Sequence, residues 1–123
     1  MRQRILIVDH REDCREILAS QLRRTGYKVI EADSSARGVE KAISEVPNLI
    51  IMDLELPGLN VTRATHWLKD DPRTKFIPIV HTRRHDEGRK QDSLGTGVDC
   101  VLTKPVPCKV LREVVQRFLQ ANA

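Results

Sequence analysis

The sequence predicts a single α/β domain built as five successive strand–helix units, a parallel sheet with helices on both faces. Three observations point there. Short β-branched runs alternate with longer amphipathic stretches, the pattern of strands joined by right-handed helical crossovers. One run, Leu49-Ile50-Ile51-Met52, is apolar without alternation, as a central parallel strand covered on both faces must be. The length of 123 residues fits one domain. Its 40% apolar residues can form a core, which has to be aliphatic because aromatics make up only 3%.

Each element has its own signal. Arg4 to Val8 reads as a buried strand that stops at polar Asp9-His10. Residues 11–24 form a helix with Cys14, Ile17, Leu18 and Leu22 on one face, and Gly26 beyond it is a stop signal. Tyr27 to Ala32 is the second strand. Ser34 or Ser35 caps the second helix, which carries Val39, Ala42, Ile43 and Val46 on one face. Pro47 ends it, because the residue before a proline disfavours α geometry. Asn48 to Asp53 is the third strand, followed by loop chemistry at Leu56-Pro57-Gly58. The third helix, near 60–70, has the poorest pattern, since Val61, Thr62 and Thr65 are β-branched. Phe76 to His81 is the fourth strand, with Pro78 near its start, where a missing N–H is tolerable. A polar fourth helix is expected over 85–95 and a fifth strand over 98–102, then a turn at Lys104-Pro105. The last helix, about 107–120, places Val110, Leu111, Val114, Val115, Phe118 and Leu119 on one broad face. Repeats and linker composition are absent, so residues 1–123 are read as one domain.

Composition narrows the function classes. The net charge of +4 is spread along the chain. With so few aromatics there is no stacking platform, which argues against direct nucleic-acid binding. No segment approaches the roughly 18–20 apolar residues that span a bilayer. The N-terminus lacks a signal-peptide pattern, so a cytoplasmic location is expected. Cys14, Cys100 and Cys108 show no CxxC spacing and their number is odd, against a disulfide framework or a cysteine zinc site. A GxGxxG or P-loop nucleotide cradle is also lacking.

In open parallel sheets, functional groups gather beyond the carboxyl ends of the strands, where the strand order switches. The residues to inspect are therefore Asp9 and His10, Asp53, Thr82 and Lys104. Together they supply two carboxylates, an imidazole, a hydroxyl and an ammonium. A carboxylate is a competent nucleophile toward phosphorus. Phosphoryl transfer needs cations and donors around the equatorial oxygens, which Lys104, Thr82 and a carboxylate-held Mg²⁺ would provide.

With these residues the chain resembles a response-regulator receiver domain over nearly its whole length. The resemblance rests on Ile5-Leu6-Ile7-Val8-Asp9-His10, Leu49 to Gly58, Ile77-Pro78-Ile79-Val80-His81-Thr82 and Leu102-Thr103-Lys104-Pro105. It implies a flavodoxin-like (βα)5 sandwich with strand order 2-1-3-4-5. It also implies a non-enzymatic signalling role within a phosphorelay. Asp53 would accept phosphate from a sensor histidine kinase or phosphotransfer protein. Thr82 would be the switch hydroxyl and Lys104 the phosphoryl-pairing lysine, with Pro105 after it through a cis bond. Asp9, Asp53 and the Glu55 carbonyl would hold Mg²⁺. Output would pass through the face made by the fourth helix, fifth strand and last helix, to an output domain, an effector or a second copy. A stand-alone regulator and a piece of a longer protein both remain open.

The departures from the family pattern matter as much. His10 stands where the family has its second acid, the one that usually ligates Mg²⁺ directly. Losing one unit charge 4 Å from the ion forfeits ~4 kcal/mol of attraction per unit of ion charge at an effective dielectric of 20. Val101 stands where an aromatic usually rotates on activation, Arg83 where a small residue follows the switch hydroxyl, and Val61 where a glycine is usual. The Glu55 carboxylate stands close enough in sequence to compensate for His10, or to tune attack of water on the acyl phosphate. Two readings follow: a phospho-accepting switch, or a receiver-fold interaction module working without phosphorylation.

Overall fold

The computed structural model describes residues 2–56, 61–84 and 97–120. Five strands form one parallel sheet: β1 (Arg4–Val8), β2 (Lys28–Ala32), β3 (Leu49–Asp53), β4 (Ile79–Arg84) and β5 (Cys100–Lys104). Their order is β2-β1-β3-β4-β5. The helices are α1 (Glu12–Arg24), α2 (Ser35–Glu45), α3 (Val61–Asp70) and α4 (Cys108–Gln120). The helix expected over 85–95 lies outside the described residues.

The two-residue alternation of side chains divides the core in two. Leu6, Val8, Ile50, Met52 and Ile79 pack with Val39 and Ala42 of α2 and Ala64 and Leu68 of α3. Ile5, Ile7, Leu49, Ile51 and Val80 pack with Leu18 and Leu22 of α1 and Leu111, Val115 and Leu119 of α4. All five residues of β3 are buried, as its unbroken apolar run requires. Burial of each large aliphatic side chain contributes roughly 1.5–3 kcal/mol.

Helix ends follow local chemistry. Gly26 adopts φ +99 after α1, and its N–H bonds the Arg23 carbonyl. Ser34, not Ser35, caps α2, accepting from the Arg37 N–H at 3.2 Å, while Ser35 is buried. Val46 closes α2 in the left-handed region at φ 43, because Pro47 forbids another helical turn. Helix α3 forms despite its β-branched residues. Val61 and Thr65 face the core, and the Thr65 hydroxyl donates to the Val61 carbonyl at 2.8 Å, so its polarity is absorbed within the helix.

Two expectations need correction. Ile17 was placed on the buried face of α1, but it is 59% exposed, and Ala19 joins Leu18 and Leu22 inside. Strand β4 runs from Ile79 to Arg84, not from Phe76 to His81. Thr74 and Asp71 carbonyls hold residues 71–77 in turns, and Pro78 has no N–H to donate, so pairing starts only after it. Phe76 is accordingly exposed.

Candidate functional site

The sheet brings its acidic residues together where β1 and β3 lie side by side. Val8 pairs with Met52, so Asp9 and Asp53 leave the sheet at the same level. Both are 1% exposed. Each uses one oxygen in the same local way. Asp9 Oδ1 accepts from the Arg11 N–H at 3.0 Å, and Asp53 Oδ1 accepts from the Glu55 N–H at 3.1 Å. These are Asx turns, in which a carboxylate satisfies the backbone two residues on. They fix both side chains and leave both Oδ2 atoms facing the space between the strands.

Lys104 enters that space from the end of β5. Its Nζ donates to Asp9 Oδ2 at 2.8 Å and lies 3.3 Å from Asp53 Oδ2. A cis peptide bond joins it to Pro105. Asp53 Oδ2 has no hydrogen-bond partner among the described residues, and His10 Nδ1 approaches it to 3.9 Å. Burial pushes the Asp53 carboxyl above the ordinary carboxylate range. The Glu55 N–H and Lys104 oppose that rise, and the Asp9 charge adds to it. Burial works against the Lys104 ammonium too, yet the Asp9 hydrogen bond and the two carboxylate charges hold its pKa above the ordinary lysine value. The lysine is thus chiefly Asp9's partner, and Asp53 is the under-satisfied member of the trio.

Thr82 is buried and sits opposite Asp53 in the β3–β4 register. The strand continues past it to Arg84, whose Nε pairs with Glu55 Oε2 at 2.8 Å. The Glu55 carboxylate is therefore turned to Arg84 and does not stand in for the missing acid. Alternation sends Arg83 to the opposite face of the sheet from Thr82. Its Nε is buried without a hydrogen-bond partner among the described residues, so Arg84, not Arg83, is the arginine beside the cluster. Sequence reasoning missed this pair, because it depends on how far β4 extends. Val101 is 38% exposed, and Val61, the first residue of α3, is buried in the core.

Asp9, His10 and Asp53 each offer one ligand atom, all within 4.8 Å of one another. Two carboxylates carry a charge of −2 and Lys104 returns +1, so the cluster favours a cation. A third donor that is nitrogen does not fit Mg²⁺, which takes oxygen ligands in near-octahedral geometry. Beside the cluster, Arg11, Cys14, Ile17, Leu18, Arg84, Lys104, Pro105 and Val106 line an open cleft of about 350 Å³. None of the described helices is long and apolar enough to cross a membrane.

The doubly wound sheet and a carboxylate–lysine cluster at its switch point define a flavodoxin-like signalling fold, and known proteins narrow it further. Residues 5–116 match the response regulator receiver domain. The chain belongs to that family, the phosphorelay module of two-component systems. It is 35% identical to Protein PilH of Pseudomonas aeruginosa over 117 residues, 94% of this chain and 97% of PilH. It is also 35% identical to the phosphate regulon transcriptional regulatory protein PhoB of the same organism, of which it spans 49%. Among solved structures, the receiver domain of sensor histidine kinase PA1611 from P. aeruginosa, with a magnesium ion in its active-site cleft, superposes with TM-score 0.91. That match has 25% identity and covers 98% of this chain and 99% of the other. The receiver domain of a histidine kinase from Syntrophus aciditrophicus gives TM-score 0.89 at 30% identity, covering 97% and 91%.

Proposed function

We propose that Asp53 is the phospho-acceptor of this receiver domain, taking its phosphoryl group from the phosphohistidine of a sensor kinase or phosphotransfer protein. The observation that carries this reading is Asp53 Oδ2, a buried carboxylate oxygen with no hydrogen bond among the described residues, 3.3 Å from the Lys104 ammonium. The Asx turn to Glu55 holds the carboxylate so that this oxygen is the one presented. It attacks phosphorus, the P–N bond breaks, and the electron pair leaves with the imidazole. Lys104 then pairs with the phosphoryl oxygens as its contact to Asp9 loosens, and the Thr82 hydroxyl donates to another. A divalent cation held by Asp9, Asp53 and the Glu55 carbonyl would add positive charge at those oxygens. The misfit of His10 to Mg²⁺ makes Mg²⁺-dependent labelling slow.

The cleft beside Lys104 supports the donor's approach. Its apolar wall includes exposed Ile17 and its rim is cationic, which suits a donor with apolar side chains around a phosphorylated histidine. Phosphorylation then shifts a two-state equilibrium and alters the face that includes β5 and α4, read by an output domain or effector. Residues 1–123 act in this as one domain. Convergence of Asp9, Asp53 and Lys104 on one point leaves the phosphorylation-free reading without a contact that favours it.

Labelling with phosphoramidate tests the proposal. Intact mass should show one added phosphoryl group on the wild-type chain and none on Asp53→Ala. A label that survives Asp53→Ala would overturn it.

A further inference from the structure

We infer that the cluster of Asp9, His10 and Asp53 is a site for a nitrogen-accepting divalent transition ion, with Zn²⁺ as the probe, in preference to Mg²⁺. This rests on the reading of the site given above and names the ion that the site selects.

Donor chemistry is the first ground. Imidazole is a good ligand for zinc and its first-row neighbours, while Mg²⁺ selects oxygen. Two carboxylates and one imidazole make a three-ligand set that leaves a coordination position open, the arrangement of reactive zinc centres. Geometry is the second ground. Ligands about 2.0–2.1 Å from a tetrahedral zinc lie about 3.4 Å apart. His10 Nδ1 and Asp53 Oδ2 are 3.9 Å apart, and all three ligand atoms fall within 4.8 Å. His10 is an exposed side chain beside fixed carboxylates, so rotation of its imidazole can shorten its own distance to them.

The third ground is independent of the cluster's composition. Asp53 Oδ2 is buried, aimed into the site, and has no hydrogen bond among the described residues. Buried polar oxygens are ordinarily satisfied, and Lys104, an ion partner at 3.3 Å whose hydrogen bond goes to Asp9, does not complete this one's coordination. A metal ion would. The charge balance agrees. With neutral His10 ligating, the two carboxylates, Lys104 and a divalent ion sum to +1. A further acid at position 10 would give zero. The ion-loaded site therefore meets an incoming phosphoryl dianion with more positive charge than an all-carboxylate site would.

Titration calorimetry of the purified chain with Zn²⁺ and with Mg²⁺ tests this on wild type, His10→Ala and His10→Asp. Wild type should take one Zn²⁺ with higher affinity than Mg²⁺. His10→Ala should weaken Zn²⁺ by about ten-fold or more. His10→Asp should strengthen Mg²⁺ and narrow the preference. The spectrum of the Co²⁺-loaded chain should lack a thiolate charge-transfer band, which separates this site from Cys14 and Cys108. Unchanged Zn²⁺ affinity in His10→Ala, a thiolate band, or tighter binding of Mg²⁺ by wild type would overturn the inference. Phosphoramidate labelling on the same samples separates the two readings. Labelling of Asp53 without His10-dependent Zn²⁺ binding defeats this inference and spares the acceptor assignment. His10-dependent binding without labelling under any ion does the reverse.

Discussion

At residue scale, His81 shows what a polar group in the sheet demands. It lies in β4, fully shielded from solvent, with Nε2 2.9 Å from Thr65 Oγ1 on α3. The single Thr65 hydroxyl hydrogen goes to the Val61 carbonyl, so Nε2 must be the donor, and the pair is satisfied with the imidazole neutral. Burial pushes its pKa down from 6.5 to about 4. The unfolded chain then binds more protons between those values, so stability is lost as pH falls from about 6.5 toward 4. The shift corresponds to ~3 kcal/mol at most. His81→Leu removes this contribution and should lose less stability over that window than wild type. Urea unfolding at several pH values checks it, and parallel curves for the two proteins would refute it.

At the scale of elements, a tight constraint among the described residues is where α2 crosses β1. A Cβ on Gly38 would fall 2.8 and 2.9 Å from the two γ-carbons of Val8, which is itself fully buried. Alanine raises helix propensity by about 1 kcal/mol, but crowding a packed core costs roughly 1–3 kcal/mol. Gly38→Ala should therefore destabilise by up to about 2 kcal/mol net, read from the urea midpoint at constant slope. Adding Val8→Ala should give less loss than the two single changes summed. Strict additivity would mean that the two groups do not meet. The sequence carries no trace of this contact, because it depends on the crossing of two elements. Signals that act locally were legible: the unbroken run of β3, Gly26 after α1, Pro47 after α2. For the same reason Asp9, Asp53 and Lys104 could be found, since each is simply the residue that closes a strand. The extent of β4 was not legible, because the turn at 71–77 and Pro78 delay pairing. The Arg84–Glu55 pair was lost with it. Ile17 was misplaced because helical spacing alone cannot say which edge of an apolar stripe meets the sheet and which is left at a cleft.

Across the whole molecule, the fold concentrates its cost at the switch point. Two buried carboxylates with one ammonium between them occupy the carboxyl ends of β1 and β3, beneath which the buried residues of those two strands are apolar. The raised Asp53 pKa means that its charge disfavours the folded state. For a carboxyl with a raised folded-state pKa, the contribution is most favourable below the unfolded value and is lost as pH rises through the folded one. At neutral pH, Asp53→Asn should therefore raise Tm by a few degrees. A divalent ion that offsets this burial penalty and the Asp9 repulsion should stabilise wild type instead. At a hundred-fold excess over its Kd it adds ~2.7 kcal/mol, a Tm rise of roughly 10 °C for a domain of this size. Asp53→Asn should lose most of that rise, because a carboxamide is a poorer ligand and the buried charge is already gone. Differential scanning calorimetry with and without the ion reads both effects. If Asp53→Asn melts lower than wild type, or gains as much from the ion, then the cluster is a stabilising network. Otherwise the stability given up at Asp53 is the free energy the site holds for a cation and a phosphoryl group.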